Sequence, residues 1–388
     1  MAEPLSLGLL GLVLLALVLD LIIGDPRALP HPVVGIGAVI ARLERAWNRG
    51  SARARRLKGA LMCVLVVLGT YALAWATLAL LAAIHPGLAW LAELWLLASC
   101  LAIKGLRDAA REIAAPLARG ELTEARRALA MVVGRDTAHL DEAEISRGAV
   151  ETVAENTVDG ITAPLFFALL GGAPLALAYK AINTLDSMVG YRDERYADFG
   201  WASARLDDVA NWLPARLTAL TLWLSALCLG GWDRTIAMGV AEGRWGQVGA
   251  KRLFQGRKSR APREGFTASL WSTCPQGSPG PQGWKSSRCN HPSEGITPRG
   301  ALAATWREAP RHPSPNSGWP EAMVANLLGV QLGGINTYRG RVSERARLGT
   351  PRRPLAAGHI AATLRLMHGG WLGFVLSMAA MILLKEAW

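Results

Sequence analysis

Apolar residues along this chain fall into runs of the length that crosses a bilayer, divided by polar stretches of very different character. Leu5 to Ile23 is apolar but for Asp20 near its end, and predicts a first membrane helix. Leu57 to Ile84 predicts a second, and Leu88 to Ile103 a return after the His85-Pro86-Gly87 turn, with Glu93 read as lying at the interface near that turn. Ile161 to Tyr179 is also apolar, but Pro164, Gly171-Gly172 and Pro174 interrupt it, which predicts a broken or re-entrant helix. Trp212 to Gly231, interrupted by Pro214 and Arg216, and a short Trp371 to Leu384 complete the apolar segments. The predicted fold class is therefore all-α: a polytopic integral membrane protein with about four to six membrane-associated helices and polar helical loops.

The polar stretches predict the rest. In GDPRALPHPVVGIG, after the first span, prolines and glycines predict an irregular loop of fixed shape. Lys104 to Ala130 carries Leu, Ala and Ile at helical spacing between charges, and reads as soluble helices punctuated by Gly120 with a solvated charged face. Asp141 with Glu144 has the form of a capping box opening a helix expected to stop at Gly160. Residues 252–300 are rich in Gly, Pro, Ser and Arg without hydrophobic period, and read as a disordered insertion. Ser317-Gly318 before Trp319-Pro320-Glu321 resembles a helix start, and Arg339 to Arg353 a basic polar stretch. The expected organisation is a membrane-embedded catalytic region over 1–251, the insertion, and a motif loop with a last membrane helix over 301–388, belonging to the same domain.

Composition supports a membrane class, with 51% hydrophobic residues and a mean hydropathy of +0.22. The net charge of +12 is unevenly spread, since residues 251–300 hold nine basic and two acidic residues and Gly24 to Lys58 eight and two. Positive charge beside apolar runs fits the positive-inside rule or anionic lipid, and no base-reading module accompanies it, so nucleic acid is not an expected partner. With both basic stretches on one side, an even number of crossings separates residues 160 and 232. Either 161–179 and 212–231 both span, which puts 180–211 across the membrane from 135–160, or neither does; partial re-entry, with the polar pieces meeting, is the reading favoured. Five scattered cysteines without CxxC indicate neither a disulfide framework nor a zinc site. The opening Met-Ala-Glu-Pro, lacking basic residues, is not read as a removable signal.

Candidate chemistry gathers between Gly134 and Asp208, where carboxylates are dense. Glu151, Glu155 and Asp159 are spaced i, i+4, i+8, forming one acidic ridge. Like charges at that spacing oppose each other unless a cation answers them, and oxygen ligands beside the amide of Asn156 suit Mg²⁺ bridging to phosphate. A ridge neutralised by Arg135 or Arg147 is the competing reading. Further along, Asn183, Asp186, Arg192, Asp193 and Arg195 supply two arginines to clamp phosphate and two carboxylates to hold its metal. His312, Ser314 and Asn316 sit on a proline-stiffened loop.

Four motifs in order, GDPRALPHPV, GRDTAHLDEAEISRGAVETVAENTVDGITAPLFF, YKAINTLDSMVGYRDERYADFGWASARLDDVANWLPARL and HPSPNSGWPEA with GVQLGG, resemble the CbiB/CobD family over nearly the whole chain except about 252–300. The resemblance implies a multi-pass bacterial inner-membrane enzyme of cobalamin biosynthesis, an adenosylcobinamide-phosphate synthase. Such an enzyme joins the free propionate of adenosylcobyric acid to 1-amino-2-propanol phosphate or ethanolamine phosphate, with ATP as substrate and Mg²⁺ as cofactor. Within it Glu151, Glu155, Asp159 and Asp186 are expected as Mg²⁺ ligands. Arg135, Arg192, Asp193, Arg195 and Asn316 are expected on the substrates, and Asn156, Asn183 and His312 in the catalytic group, His312 accepting the ammonium proton. Expected partners are the corrinoid and aminoalcohol phosphate, membrane lipid and other cobalamin-assembly membrane enzymes. The chain lacks G-x-x-x-x-G-K-[ST], so a P-loop does not hold the ATP. A Mg²⁺-dependent membrane phosphotransferase and a corrinoid transporter are the rival classes, and the Asp spacings over 186–208 do not reproduce the phosphotransferase D-x-x-D-G-x-x-A-R pattern.

Overall fold

A computed structural model describes residues 3–24, 31–228, 298–338 and 340–388. The insertion expected over 252–300 lies outside the described residues, save 298–300, which already begin a helix. Helix α1 (Leu7–Ile22) starts where Ser6 Oγ accepts the Leu9 N–H. Its Asp20, rather than reaching polar solvent, is buried and accepts from the Ile103 and Lys104 N–H groups at 2.9 and 3.3 Å, so one helix caps the start of another. Of the expected irregular loop after the first span, residues 25–30 lie outside the described residues, and the remainder is helical rather than irregular: His31 caps, and Pro32 opens, helix α2 (Pro32–Trp47). Proline at the first helical position loses no hydrogen bond, and so starts a helix here rather than preventing one.

Helices α3 (Ala52–Ile84) and α4 (Pro86–Ala98) form the expected hairpin about His85. Helices α5 (Ile103–Ala118) and α6 (Leu122–Ala130) follow, divided at Gly120 as their pattern predicts. The capping box is present in both directions at the start of α7 (Glu142–Thr157). The expected stop at Gly160 does not occur. A single π turn, Val158–Thr162, carries the helix straight into α8 (Ala163–Val189), because apolar residues on both sides stay buried and Gly160 itself is packed inside.

The real break is at Gly171-Gly172. Gly172 has φ +64°, and a Cβ there would stand 2.5 Å from Glu93 Oε1, so the position admits little but glycine. Beyond it the chain folds back: Phe167 stacks on Tyr179 at 5.0 Å between ring centroids, and Asn183 reaches Asp159. The second leg, after Gly172 to Val189, is roughly 25 Å long, short of the ~30 Å of a bilayer core, whereas the first, continuous from Glu142, is longer, about 43 Å. The break read from the proline and glycine pattern is thus found, and the polar pieces 135–160 and 180–211 meet as expected. Backbone groups opened at the tip are answered by protein: Leu5 N–H donates to Leu169 O at 3.0 Å, and the buried Glu93 carboxylate accepts from Ala173 N–H. Glu93 is thus buried at the tip, closing a backbone that lipid could not satisfy.

Helices α9 (Trp201–Ala210), α10 (Trp212–Cys228), α11 (Pro298–Glu308) and α12 (Gly318–Leu328) follow, the last at the predicted Ser317-Gly318 start. The stretch read as basic and polar instead forms an antiparallel hairpin of β1 (Leu332–Tyr338) and β2 (Arg341–Leu348), which charged residues outside a core do not exclude. Helix α13 (Ala357–Ala387) is far longer than the expected last segment, and packs against α10, α7 and α5. Four stretches, Ala52–Ile84, Pro86–Ala118, Glu142–Val189 and Ala357–Ala387, are long and apolar enough to cross a membrane, with α1 and α10 shorter apolar helices beside them. The third is the hairpin broken at Gly171-Gly172, and 72% of its apolar window is buried against 17% for α3. The polytopic all-α membrane architecture is thus built round a helix pair that the others enclose.

Candidate functional site

Because α7–α8 folds at Gly171-Gly172, its two ends come together at the open end of the hairpin. From the first leg come Glu155 and Asp159, from the second Lys180, Asn183 and Asp186, and from α9 Asp207 and Asp208. The carboxylates are half-buried. Three of the five are held by neutral partners, and Asp208 pairs with Arg205 at 3.5 Å. Asn183 Nδ2 donates to Asp159 Oδ2 at 3.2 Å, Asn211 Nδ2 to both Asp207 oxygens at 3.1 Å, and Ser317 Oγ to Glu155 Oε1 at 2.9 Å. Asn211 is itself fixed by the Tyr179 hydroxyl at 2.9 Å. The loop HPSPNSG closes the side of the cluster. Ser314 Oγ accepts the Asn316 and Ser317 N–H groups, and Asn316 Nδ2 donates to Asp208 O at 2.8 Å.

The charges feel one another. Asp159 lies in the field of Asp207, Glu155 and Lys180, and Asp186 in that of Asp208 and Glu155. Removal from water, reinforced by Asp186, pushes the Asp207 carboxyl from its ordinary 3.8 up to about 7. Burial also raises Asp208, against the pull of Arg205 and Arg192. Among the described residues no three His, Cys, Asp or Glu side chains form a cage for a bare ion. The set does offer hard oxygen donors whose mutual repulsion is only partly answered by Lys180 and Arg192. That suits a Mg²⁺ that takes one or two carboxylates and completes its shell with water and phosphate oxygens.

Other sequence-predicted residues are placed elsewhere. Glu151 does not join the cluster: its Oε2 accepts from Arg135 Nη1 at 3.0 Å and its Oε1 from Gly333 N–H at 2.8 Å. Arg135 is equally engaged, donating to Asn336 Oδ1 at 2.6 Å and lying so close to Gly148 that a Cβ there would collide with it. Arg147 donates to Gly333 O, to Ile335 O and to Asn336 Oδ1. For this part of the ridge the arginine-neutralised reading describes the geometry, and its effect is to fix the β hairpin to α7. Asn156 turns back to Thr152 O, Asp193 caps the Tyr196 N–H, and Arg195 pairs with Glu44 on α2. His312 receives the Ser314 N–H on Nδ1 and turns Nε2 toward Glu321 Oε1, 3.9 Å away. Burial lowers the His312 pKa, while burial with Glu151 and Glu155 nearby raises that of Glu321 well above normal, so both favour their neutral forms and the contact is not an ion pair. Asp207, Asp208, Lys180, Asn211 and Ser317 were not among the expected site residues. Asp207 and Asp208 fall inside the carboxylate-dense stretch, but only the position of α9 across the hairpin's open end gives them a place in the site.

Compared with known proteins, residues 13–367 match the sequence model of the family described as CobD/Cbib protein. The Cobalamin biosynthesis protein CobD of Halalkalibacterium halodurans is 44% identical over 93% of this chain and 92% of its own length. That of Klebsiella pneumoniae is 42% identical over 95% and 94%, and the Cobalamin biosynthesis protein CbiB of Salmonella typhimurium 41% over 95% of each. No solved structure matches.

Proposed function

The chain belongs to the CobD/CbiB family, and from that premise we propose that it acts in cobalamin biosynthesis as a membrane ligase of the bacterial inner membrane. The reaction is ATP- and Mg²⁺-dependent amide formation between the free propionate of adenosylcobyric acid and aminopropanol phosphate or ethanolamine phosphate. The observation that carries the placement of the site is the convergence of Glu155, Asp159, Asp186, Asp207 and Asp208 within one another's field, with Lys180 acting on Asp159 and Arg192 and Arg205 on Asp208.

Carboxylate and amine do not condense unaided in water. A propionate oxygen attacks the terminal phosphorus of ATP, the bond to ADP breaks, and an acyl phosphate forms. The amine nitrogen then attacks the acyl carbon and phosphate leaves. A bound Mg²⁺ would supply charge neutralisation on the phosphoryl oxygens. Glu155, Asp159 and Asp186 would hold it, with Ser317 and Asn183 orienting the first two. Lys180 and Arg192 answer the remaining phosphate charge. The attacking amine must shed a proton, and Asp207, with a pKa of about 7 and both oxygens fixed by Asn211, is suited to take it. His312 stands behind the site, on Glu321.

The test uses membranes bearing the full chain, supplied with adenosylcobyric acid, aminopropanol phosphate, ATP and Mg²⁺, and follows corrinoid mass. Glu155→Gln and Asp207→Asn are run alongside. Amide product falling about 100-fold or more in both variants is expected, the scale of losing a group that acts in the transition state. Product unchanged in both would remove this cluster from the chemistry. No product from the intact chain, with corrinoid accumulating in sealed vesicles, would point to transport instead.

A further inference from the structure

A second polar site lies away from the acidic cluster, where α2 ends and α3 begins. Glu44, Arg45, Asn48, Arg49, Arg55 and Arg195 line a cavity of about 380 Å³. Two of its four guanidiniums are committed. Arg195 grips the buried Glu44 through Nε and Nη2 at 3.1 and 2.9 Å, and Arg55 Nη2 meets Asp198 Oδ2 at 2.5 Å. Arg45 and Arg49 have no carboxylate partner among the described residues. The lining therefore holds two positive charges beyond its acids. Arg55 Nε and Asn48 Oδ1 are buried with no hydrogen-bond partner among the described residues, one a donor and the other an acceptor.

Buried polar atoms left without partners cost free energy, and unanswered like charges round one cavity repel. An oxyanion would relieve both, and a planar guanidinium is the side chain suited to a phosphate's paired oxygens. The unused acceptor on Asn48 adds a place for a hydroxyl. Position narrows the ligand further. Arg55 lies in the first turn of α3, a helix apolar enough to cross a membrane. Beside it, Arg56 lies 4.0 Å over the ring of Trp201, itself 43% exposed, as an interfacial anchor does. The cavity thus lies at the start of a helix apolar enough to cross a membrane, where a lipid headgroup would reach it.

We propose that this arginine-lined cavity binds a phosphoester carrying a neighbouring hydroxyl, the chemistry shared by a phosphatidylglycerol headgroup and free glycerol phosphate. It is independent of the ligase reading, since neither Arg45 nor Arg49 belongs to the acidic site.

The experiment purifies the full chain and places it in nanodiscs of phosphatidylcholine with or without phosphatidylglycerol. Retained lipid is counted by native mass spectrometry, and glycerol phosphate binding in detergent is followed by calorimetry. Variants are Arg45→Gln with Arg49→Gln, the charge-keeping Arg45→Lys with Arg49→Lys, and Arg53→Gln, which removes a charge outside the cavity. At about 1 kcal/mol for each basic residue, the double Gln variant should lose roughly 10- to 30-fold in affinity, the double Lys variant much less, and Arg53→Gln little. Loss confined to retained phosphatidylglycerol identifies lipid as the source, and loss of glycerol phosphate binding identifies the free phosphoester. Equal binding by the wild type and the double Gln variant in both arms, or equal loss from Arg53→Gln, would overturn the assignment.

Discussion

At the scale of single residues, two glutamates one helical turn apart have opposite fates. Glu151 neutralises a buried arginine, and Glu155 faces the open cluster. Removing one partner of a buried ion pair leaves the other charge stranded, at about 3–5 kcal/mol. Glu151→Gln should therefore lower the unfolding midpoint sharply, by calorimetry or dye melting in detergent, whereas Glu155→Gln should leave it near wild type while abolishing product. Asp207 carries a pH signature. Its carboxyl is raised in the folded state from 3.8 to about 7, so between those values the unfolded chain releases a proton that the folded chain keeps. The group favours folding most at low pH, and that contribution is lost as pH rises through about 7. The Mg²⁺-free protein should melt progressively lower from pH 5 to pH 7.5, and Asp207→Asn should flatten that trend. Added Mg²⁺ should protect more at pH 8 than at pH 6, because a cation held beside Asp207 is favoured by the ionised form of that carboxylate. The i, i+4 spacing made the ridge legible from sequence. It could not tell which of its members an arginine 16 positions earlier would claim, since that depends on where the β hairpin docks.

At the scale of elements, the break that folds α7–α8 back on itself was legible because Pro164, Gly171-Gly172 and Pro174 are costly in any unbroken membrane helix. Its partner at the tip was not. Glu93 sits 79 positions before Gly172, and nothing local distinguishes an acid that closes a broken backbone from one that merely reaches the interface. The same distance hid Asp20, which caps α5 from α1. The role of Glu93 is to accept a hydrogen bond, so its charge is secondary. Glu93→Gln keeps an acceptor and should be tolerated, while Glu93→Leu leaves the Ala173 N–H unanswered and should cost about 1–3 kcal/mol. Gly172→Ala meets both the positive φ and the Glu93 oxygen, and should be as damaging or worse. Melting the three variants in detergent checks the order. If Glu93→Gln proved as harmful as Glu93→Leu, charge rather than hydrogen bonding would be what holds the tip.

At the scale of the whole molecule, the acidic site is assembled from parts on both sides of residues 229–297. Glu155 is held by Ser317, the Asp208 backbone by Asn316, and Arg135 with Glu151 by the strand bearing Gly333 and Asn336. Helix α13 then lies along α5, α7 and α10, so the C-terminal part contributes to the same buried core as the first 228 residues. Composition set 252–300 apart in the sequence, and the expected grouping of 301–388 with the first region rested on resemblance, since periodicity alone says nothing of which helices pack together. These long-range bonds make that grouping testable. If both parts fold round one core, a peptide bond between them is dispensable once both are present. Coexpressed chains 1–260 and 290–388, with a tag on the first only, should copurify from membranes and retain amide-forming activity. The second chain expressed alone should be degraded, because the buried faces of α12 and α13 would lack their cover. Recovery of 290–388 as a stable membrane protein by itself would show two domains, and would break the link between Ser317 and Glu155 on which the site's geometry depends.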